Sequence, residues 1–196
     1  MSLRTCEPLD PRVRRTRKLL QQALHKLLTE KEFEQISVQD ITDAATLNRA
    51  TFYDHFPDKL ALLEWMVGSD FHELLTERQI EFDGSCSSGL RSIVLAVCDY
   101  LARMHGPDCQ RQSQPQMEAA IISVVRRMLL DGLKLHFPKS AISAEMMAAA
   151  ASWAIYGAAR EWILTPDRGS SEEIAETVTG LVSPILQQTQ EARFQA

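Results

Sequence analysis

Residues 48–55 contain side chains whose types and spacing suit hydrogen bonding to DNA bases. In a short helix over this segment, Arg49 lies in the first turn. The planar guanidinium group of an arginine can donate two hydrogen bonds to O6 and N7 of guanine, which contributes roughly 1–3 kcal/mol of discrimination between bases. Thr51 offers a hydroxyl group to a base edge and a methyl group that fits against thymine. The segment is therefore a candidate for reading DNA sequence.

Three neighbouring side chains have the length to reach phosphate oxygens. They are Tyr53, His55 and Lys59. Contacts with phosphates position a protein on the duplex but carry no sequence information. Together with Arg49 and Thr51, these residues would form one surface that both holds and reads DNA.

Two short helices must position this surface. Residues 37–40 read Ser-Val-Gln-Asp, a capping box that predicts the start of the first helix. Residues 46–47 interrupt it, Asn48 can cap the second helix, and Pro57 ends that helix. This arrangement is typical of a helix-turn-helix, in which one helix braces the helix that enters the major groove. The apolar residues that can seal the pair against a preceding helix are Ile41, Ala45, Leu47, Ala50 and Phe56.

The preceding helix is expected to begin between Pro11 and Thr16, because Asp10 can cap it and proline suits a first turn. Residues 1–60 hold 10 Lys and Arg against 9 Asp and Glu, whereas the whole chain has a net charge of −5. This asymmetry indicates that the N-terminal part meets a polyanion, although a solvated basic tail would give the same pattern. The basic cluster at the opening of the helix consists of Arg12, Arg14, Arg15, Arg17 and Lys18.

The run of residues 45–59 resembles the N-terminal signature of the TetR family of regulators. It reads Ala-Thr-Leu-Asn-Arg-Ala-Thr-Phe-Tyr-Asp-His-Phe-Pro-Asp-Lys, and the resemblance covers about residues 11–63. It implies a ligand-responsive repressor that binds a double-stranded palindromic operator as a homodimer. The DNA-binding residues that it implies are Thr16, Arg17, Asn48, Arg49, Thr51, Tyr53, His55 and Lys59.

The chain departs from the family signature at Thr46, which stands where the family usually has glycine. If the backbone there requires a positive φ, a β-branched residue costs roughly 1–3 kcal/mol of strain. The turn could then be reshaped slightly, which would alter the direction in which Arg49 points.

Helical periodicity dominates the rest of the chain and strand patterns are nearly absent. The fold class is therefore expected to be all-α, with about nine helices. The predicted domains are an N-terminal DNA-binding domain of residues 1–57 and an effector-binding and dimerisation domain of residues 58–196. Beyond the helix-turn-helix, long helices are expected over residues 58–82, 89–105, 116–136, 143–164 and 171–190.

The last two predicted helices are candidates for pairing with a second copy of the chain. Residues 143–164 contain a stripe of small residues, which lets another helix approach closely. The TetR resemblance implies that this surface forms a homodimer, whereas packing within the chain is the alternative. The candidate interface residues are Ala148, Ala151, Ile155, Ala159, Trp162, Val178, Leu181 and Ile185.

The middle helices carry methionine and aromatic residues that would suit a small-molecule effector of apolar or aromatic character. The TetR resemblance implies a pocket in this region, although most such residues in a helical protein simply belong to the core. The candidate ligand-binding residues are Trp65, Met66, Met104, Met128 and Phe137.

Sequence motifs of several other classes of protein are missing. There is no G-x-S-x-G, Walker A, G-x-G-x-x-G or H-E-x-x-H motif, and the five histidines are scattered, so we expect no enzyme, metal site or cofactor. No apolar run suits a membrane span and the first residues lack a signal-peptide core, which predicts a cytoplasmic protein. The remaining alternative is a helical protein–protein adaptor with a vestigial helix-turn-helix, for which Thr46 is the best support.

Overall fold

The structure is a computed structural model, which describes residues 10–78, 86–104, 115–136 and 143–187. Across these four segments the chain forms eight α-helices and one short 3-10 helix, and no β-strand. The expected all-α fold class is confirmed, and the described residues contain one α-helix fewer than the nine expected. None of their helices combines the length and the hydropathy that crossing a bilayer would require.

The first helix, α1, spans Pro11–Glu30. The side chain of Asp10 caps it by accepting a hydrogen bond from the backbone N–H of Arg12 at 2.8 Å. Proline at the first position costs nothing, because that N–H has no partner within the helix. The inner side of α1 is apolar and buried, and its members are Leu20, Ala23, Leu24, Leu27 and Leu28.

A 3-10 turn at Phe33–Gln35 leads into α2, Val38–Ala45, which is followed by α3, Arg49–His55. The predicted capping box opens α2. The Ser37 hydroxyl oxygen accepts from the Asp40 N–H at 3.1 Å, and the Asp40 carboxylate accepts from the Ser37 N–H at 2.7 Å. Two of the four N–H groups that a helix start leaves unpaired are thus satisfied reciprocally.

The short helices are held by a shared apolar core, in which α1 contacts both α2 and α3. Burying side chains of this kind stabilises a fold by roughly 1.5–3 kcal/mol each relative to exposing them. Helix α3 has seven residues and cannot be stable alone, so burial of Phe52 is what attaches it to the core. The residues that are fully buried here are Leu20, Leu24, Phe33, Ile36, Ile41 and Phe52.

Helix α4 follows as Lys59–Glu77, α5 as Cys86–Met104 and α6 as Pro115–His136. The contacts divide the chain into two compact units, with divisions between residues 68 and 69 in α4 and between 120 and 121 in α6. The proposed functional domains, residues 1–57 and 58–196, stay a prediction.

In the second unit, α5 packs against α7, Ala144–Leu164, and α8, Ser171–Gln187. Residues 93–98 of α5 are all buried, from Ile93 to Cys98, which marks α5 as the central helix of this unit. Helix α5 begins at Cys86, three residues before the expected Gly89.

The small-residue stripe of α7 faces the interior of its own chain. Ala148, Ala151, Ile155 and Ala159 are fully buried there, and Val178 of α8 is buried as well. The prediction that these five residues contact a second copy is therefore corrected. Their small size lets α7 approach α5 and α8 closely within one chain.

Candidate DNA-binding surface

The break between α2 and α3 is a helix C-terminus with a left-handed residue. Thr46 has φ 57° and ψ 43°. Its N–H donates to the carbonyl of Asp43 at 3.1 Å, and the Leu47 N–H donates to the carbonyl of Thr42 at 2.9 Å. This pair of bonds is a Schellman motif, in which glycine is the usual left-handed residue. The turn thus places a β-branched threonine in a backbone conformation that favours glycine.

The start of α3 is capped by Asn48. The side-chain oxygen of Asn48 accepts hydrogen bonds from both the N–H of Thr51, at 2.7 Å, and the hydroxyl of Thr51, at 2.9 Å. The Thr51 proton is therefore used within the helix, and its oxygen lone pairs and methyl group are what it could offer to a base. The Asn48 amide keeps its own donors, so both residues stay predicted DNA contacts.

Aromatic side chains anchor the inner side of α3. The ring of Phe52 is fully buried, and it packs edge-on against Tyr53 with centroids 5.4 Å apart. The Phe52 and Phe56 centroids are 6.1 Å apart, and Phe56 continues the series to Trp65 at 5.8 Å. This ladder of rings fixes how α3 is rotated about its axis, and so which residues face outward.

The outward face of α3 presents Arg49 and Tyr53. Both are exposed, Tyr53 to 47%. The guanidinium Nη2 of Arg49 donates to the Tyr53 hydroxyl oxygen at 3.2 Å, and its central carbon lies 5.6 Å from the ring centroid. The structure thus brings together two predicted site residues on one exposed strip, which supports their predicted role in DNA contact.

Two predicted site residues lie in the second turn of α1. The hydroxyl of Thr16 donates to the carbonyl of Arg12 at 3.0 Å. The guanidinium carbon of Arg17 lies 5.4 Å from the centroid of the Phe56 ring, and its buried Nε has no hydrogen-bond partner among the described residues. Stacking on an aromatic face holds the arginine in place and leaves its N–H donors available for hydrogen bonds.

His55 ends α3 and is half-buried. Burial lowers the pKa of its imidazole below 6.5, and the nearby positive charge of Arg17 lowers the pKa further. The lowered pKa favours the uncharged form of the ring. The contact of His55 with a phosphate stays a prediction.

Lys59 is not a free phosphate ligand. Its ammonium Nζ donates to the backbone carbonyls of Ile36 at 2.7 Å, Phe33 at 2.9 Å and Glu34 at 3.2 Å. These three bonds use every donor that a lysine has. A phosphate would have to replace one of these carbonyls, so the contact of Lys59 with phosphate stays a prediction.

The predicted ligand-binding residues differ in how deeply they are buried. Met66 is buried, Trp65 is half-buried beside Phe56, and Met104 and Met128 are half-buried. Phe137 lies outside the described residues. Their role in an effector pocket stays a prediction.

The remaining predicted interface residues are accessible, and so are large apolar side chains that sequence analysis did not select. Trp162 is half-buried, and its indole N–H donates to the Gly169 carbonyl at 3.1 Å, so it braces the turn after α7. Ile185 is half-buried. A second apolar stripe on the outer side of α7 was the available signal for the missed residues. The strongly exposed apolar residues of α7 and α8 are Met146, Trp153, Leu164 and Leu181.

Comparison with known proteins gives a family match in the N-terminal part of the chain. The family model of bacterial regulatory proteins of the tetR family matches residues 20–66. Over 86 residues the chain is 37% identical to the dhaKLM operon transcriptional activator DhaS of Lactococcus lactis, a match that covers 44% of this chain and 43% of the relative. The curated relatives that the chain matches are thus covered over less than half of their own length.

Solved structures share the fold along most of the chain. A TetR-family regulator from Streptomyces coelicolor matches with a TM-score of 0.62 at 18% identity, covering 91% of this chain and 98% of the other. FadR of Thermus thermophilus, a repressor solved with lauroyl-CoA, matches with a TM-score of 0.52 at 19% identity, covering 85% and 93%. Residues 20–66 therefore match the N-terminal domain model of the tetR family of bacterial regulatory proteins, as the sequence resemblance predicted.

Proposed function

We propose that the protein is a sequence-specific DNA-binding transcriptional regulator that binds a palindromic operator as a homodimer and responds to a small molecule. The observation that carries this proposal is the exposed strip of Arg49 and Tyr53 on α3, a helix whose inner side is fixed by Phe52. The arginine has the donors to read a guanine, and the tyrosine hydroxyl has the reach of a phosphate.

A second copy of the chain is the proposed partner of the outer faces of α7 and α8. Trp153 is 59% exposed and Leu181 68% exposed, although large apolar residues gain from leaving water. Gly157 and Gly180 lie on the same helices with open space at the position of a Cβ, which leaves room for a protruding side chain. Two-fold pairing would also increase sequence specificity, because one seven-residue helix contacts few bases and a palindrome doubles the number of contacts. The accessible candidates Trp162, Leu181 and Ile185 belong to this proposal.

The proposed effector is apolar or aromatic, and Trp65, Met66, Met104, Met128 and Phe137 are its candidate contacts. The fatty acyl thioester in the Thermus FadR structure is a ligand of that protein, and it illustrates the chemistry that such a fold accommodates. An effector would change operator affinity only to the extent that it binds the DNA-competent and DNA-incompetent states unequally.

We propose repression as the direction of regulation. A dimer seated on an operator excludes polymerase without any further contact, whereas activation requires an additional surface for polymerase. The relative DhaS is named an activator, so the direction is a separate part of the proposal. A reporter gene placed behind the operator distinguishes the two, since deletion of the regulator raises its expression under repression and lowers it under activation.

In vitro selection tests the proposal. The purified chain is incubated with a pool of random duplexes, and the retained DNA is sequenced after several rounds. Enrichment of an inverted repeat with half-sites about one helical turn apart is the expected result. Retention of all sequences alike, falling steeply with salt, would instead favour the adaptor alternative, because such binding is only the non-specific background.

A further inference from the structure

The ammonium group of Lys59 closes the helix-turn-helix into a loop. Lys59 is the first residue of α4, and the carbonyls that it binds belong to the 3-10 turn before α2, 23 to 26 residues earlier in the chain. Its Nζ also lies 4.7 Å from the centroid of the Phe33 ring. The segment that contains α2 and α3 is thus tied at both ends by one side chain.

The carbonyls in this contact need a positive partner. The Phe33 carbonyl also accepts the Ile36 N–H at 3.1 Å, whereas the last carbonyls of such a turn have no partner within it and carry partial negative charge. Phe33 and Ile36 are each only 1% exposed, so the backbone on both sides of the turn is anchored in the core. An ammonium group with three donors meets this need in a way that a hydrophobic or uncharged side chain cannot.

The same turn has a second support from the start of α6. The amide of Gln116 donates to the carboxylate of Glu34 at 2.7 Å. Both residues belong to the compact unit that contains the helix-turn-helix. Glu34 is therefore held through its carbonyl by Lys59 and through its side chain by Gln116, which fixes the turn rather than leaving it to pivot.

We propose that Lys59 is a positioning residue for DNA recognition, which makes α2 and α3 move as one body with the start of α4. Closing a loop in this way removes orientations that the two short helices could otherwise adopt. The residue acts through Arg49 and its neighbours and does not itself touch DNA. This inference rests on the proposed function and adds the means by which the reading helix keeps its direction.

The test compares Lys59→Met with the matched control Lys26→Met, an exposed lysine of α1. Both variants are assayed for melting temperature and for affinity toward two duplexes, one selected by the wild-type protein and one with the same composition scrambled. Affinities are measured at several salt concentrations and well below the melting temperature. For Lys59→Met we expect the melting temperature to fall by several degrees and affinity for the selected duplex to fall about tenfold or more, with an unchanged salt slope. Lys26→Met is expected to match wild type.

Two results would overturn the proposal. A salt slope lower by about one on both duplexes, with the melting temperature unchanged, would show that Lys59 binds a phosphate. A lower melting temperature with unchanged affinity for both duplexes would show that the contact stabilises the fold without positioning α3.

A readout without DNA separates this proposal from the proposed function. If wild-type protein selects no duplex, the proposed function fails. Amide hydrogen exchange alone then tests whether the contact of Lys59 with the 3-10 turn, called the tie below, holds the two short helices. Faster exchange over residues 36–47 in Lys59→Met, and not in Lys26→Met, supports the tie. Equal exchange in both variants overturns it.

Discussion

Arg49 and Tyr53 lie one turn apart on α3, and the guanidinium group of the arginine donates to the tyrosine hydroxyl oxygen at 3.2 Å while lying against the ring. The arginine is thus held along the helix before any ligand arrives. Restricting a long side chain in advance lowers the entropy that binding must remove. The tyrosine therefore holds the arginine side chain in place and is also a candidate phosphate contact.

Replacement of Arg49 is expected to remove sequence selectivity. Arg49→Ala should lower the preference for the selected duplex over a scrambled one by roughly 5- to 150-fold, which corresponds to the 1–3 kcal/mol of a bidentate guanine contact. Gel-shift titration measures both affinities, with Arg91→Ala, an exposed arginine of α5, as the control. Undiminished preference in Arg49→Ala would show that the base contact is assigned to the wrong residue.

The left-handed turn predicts a stabilising substitution. Thr46→Gly should raise the free energy of unfolding by about 1 kcal/mol, because glycine adopts φ 57° without the clash that a β-branched residue suffers. For a chain of this size the melting temperature should rise by about 2–4 °C. The control Thr76→Gly, in the helical backbone of α4, should instead lower the free energy of unfolding, by about 0.3 kcal/mol. A loss of stability in Thr46→Gly would mean that the threonine side chain contributes more than its backbone costs.

The capping box of α2 predicts a pH dependence. Hydrogen bonds from the Ser37 N–H and then from the Ser37 hydroxyl, with the Lys31 ammonium 3.0 Å away, lower the pKa of Asp40 from 3.8 to about 2. Since the pKa is lower in the folded state, this stabilisation is complete above 3.8 and disappears as the pH falls toward 2.

Urea unfolding of wild type and Asp40→Asn should therefore differ at neutral pH and converge over that acid range. Asp43→Asn, which removes a carboxylate of the same helix outside the capping box, should leave the pH profile of wild type unchanged. A gap between wild type and Asp40→Asn that persists at the acid end would contradict the assignment.

The buried thiol of α5 is expected to be inert. Cys98 is fully buried, and burial raises the pKa of its thiol to about 12, with a further increase from the nearby Asp99 carboxylate. Because the thiolate is the reactive form, a variant that keeps Cys98 alone should not react with a thiol reagent until it unfolds. Absorbance of the released chromophore follows the reaction, with Ala150→Cys on the exposed side of α7 as the reactive control. Rapid labelling of the folded single-cysteine variant would show that α5 opens readily.

The exposed apolar faces of α7 and α8 predict the oligomeric state. Trp153→Glu and Leu181→Glu should each convert a dimer to a monomer, because both would bury a charge without a partner at the interface. Sedimentation velocity measures the mass, and Leu60→Glu, which changes an exposed leucine of α4, should remain dimeric. Dimers that survive both substitutions would place the interface elsewhere.

Features that depend on neighbours in sequence could be predicted from the sequence. The Ser37–Asp40 capping box and the Asn48 cap both appear as expected, because each depends on residues only a few positions apart in the chain. A positive φ at Thr46 was only a condition raised by the glycine of the family signature, and the structure shows φ 57° there.

Features that depend on distant partners could not be predicted. The carbonyls that bind Lys59 are more than 20 residues away, and nothing in the spacing of a lysine says whether it reaches a phosphate or its own backbone. The prediction that the alanines of α7 contact a second copy was wrong for a related reason. Small residues permit close approach to any helix, so Ala151 and Ala159 suit the chain's own core as well as a second copy.

Helix α3 receives its attachments from Asn48 at one end and from the buried rings of Phe52 and Phe56 at the other. Positions 49, 50, 53 and 54 are all exposed, and of these only Tyr53 touches the anchoring rings, through its edge-on contact with Phe52. A library randomised at these four positions would keep the scaffold while exploring new target sequences. Under the proposed function, such a library would exchange the reading surface and leave the rest of the chain unchanged.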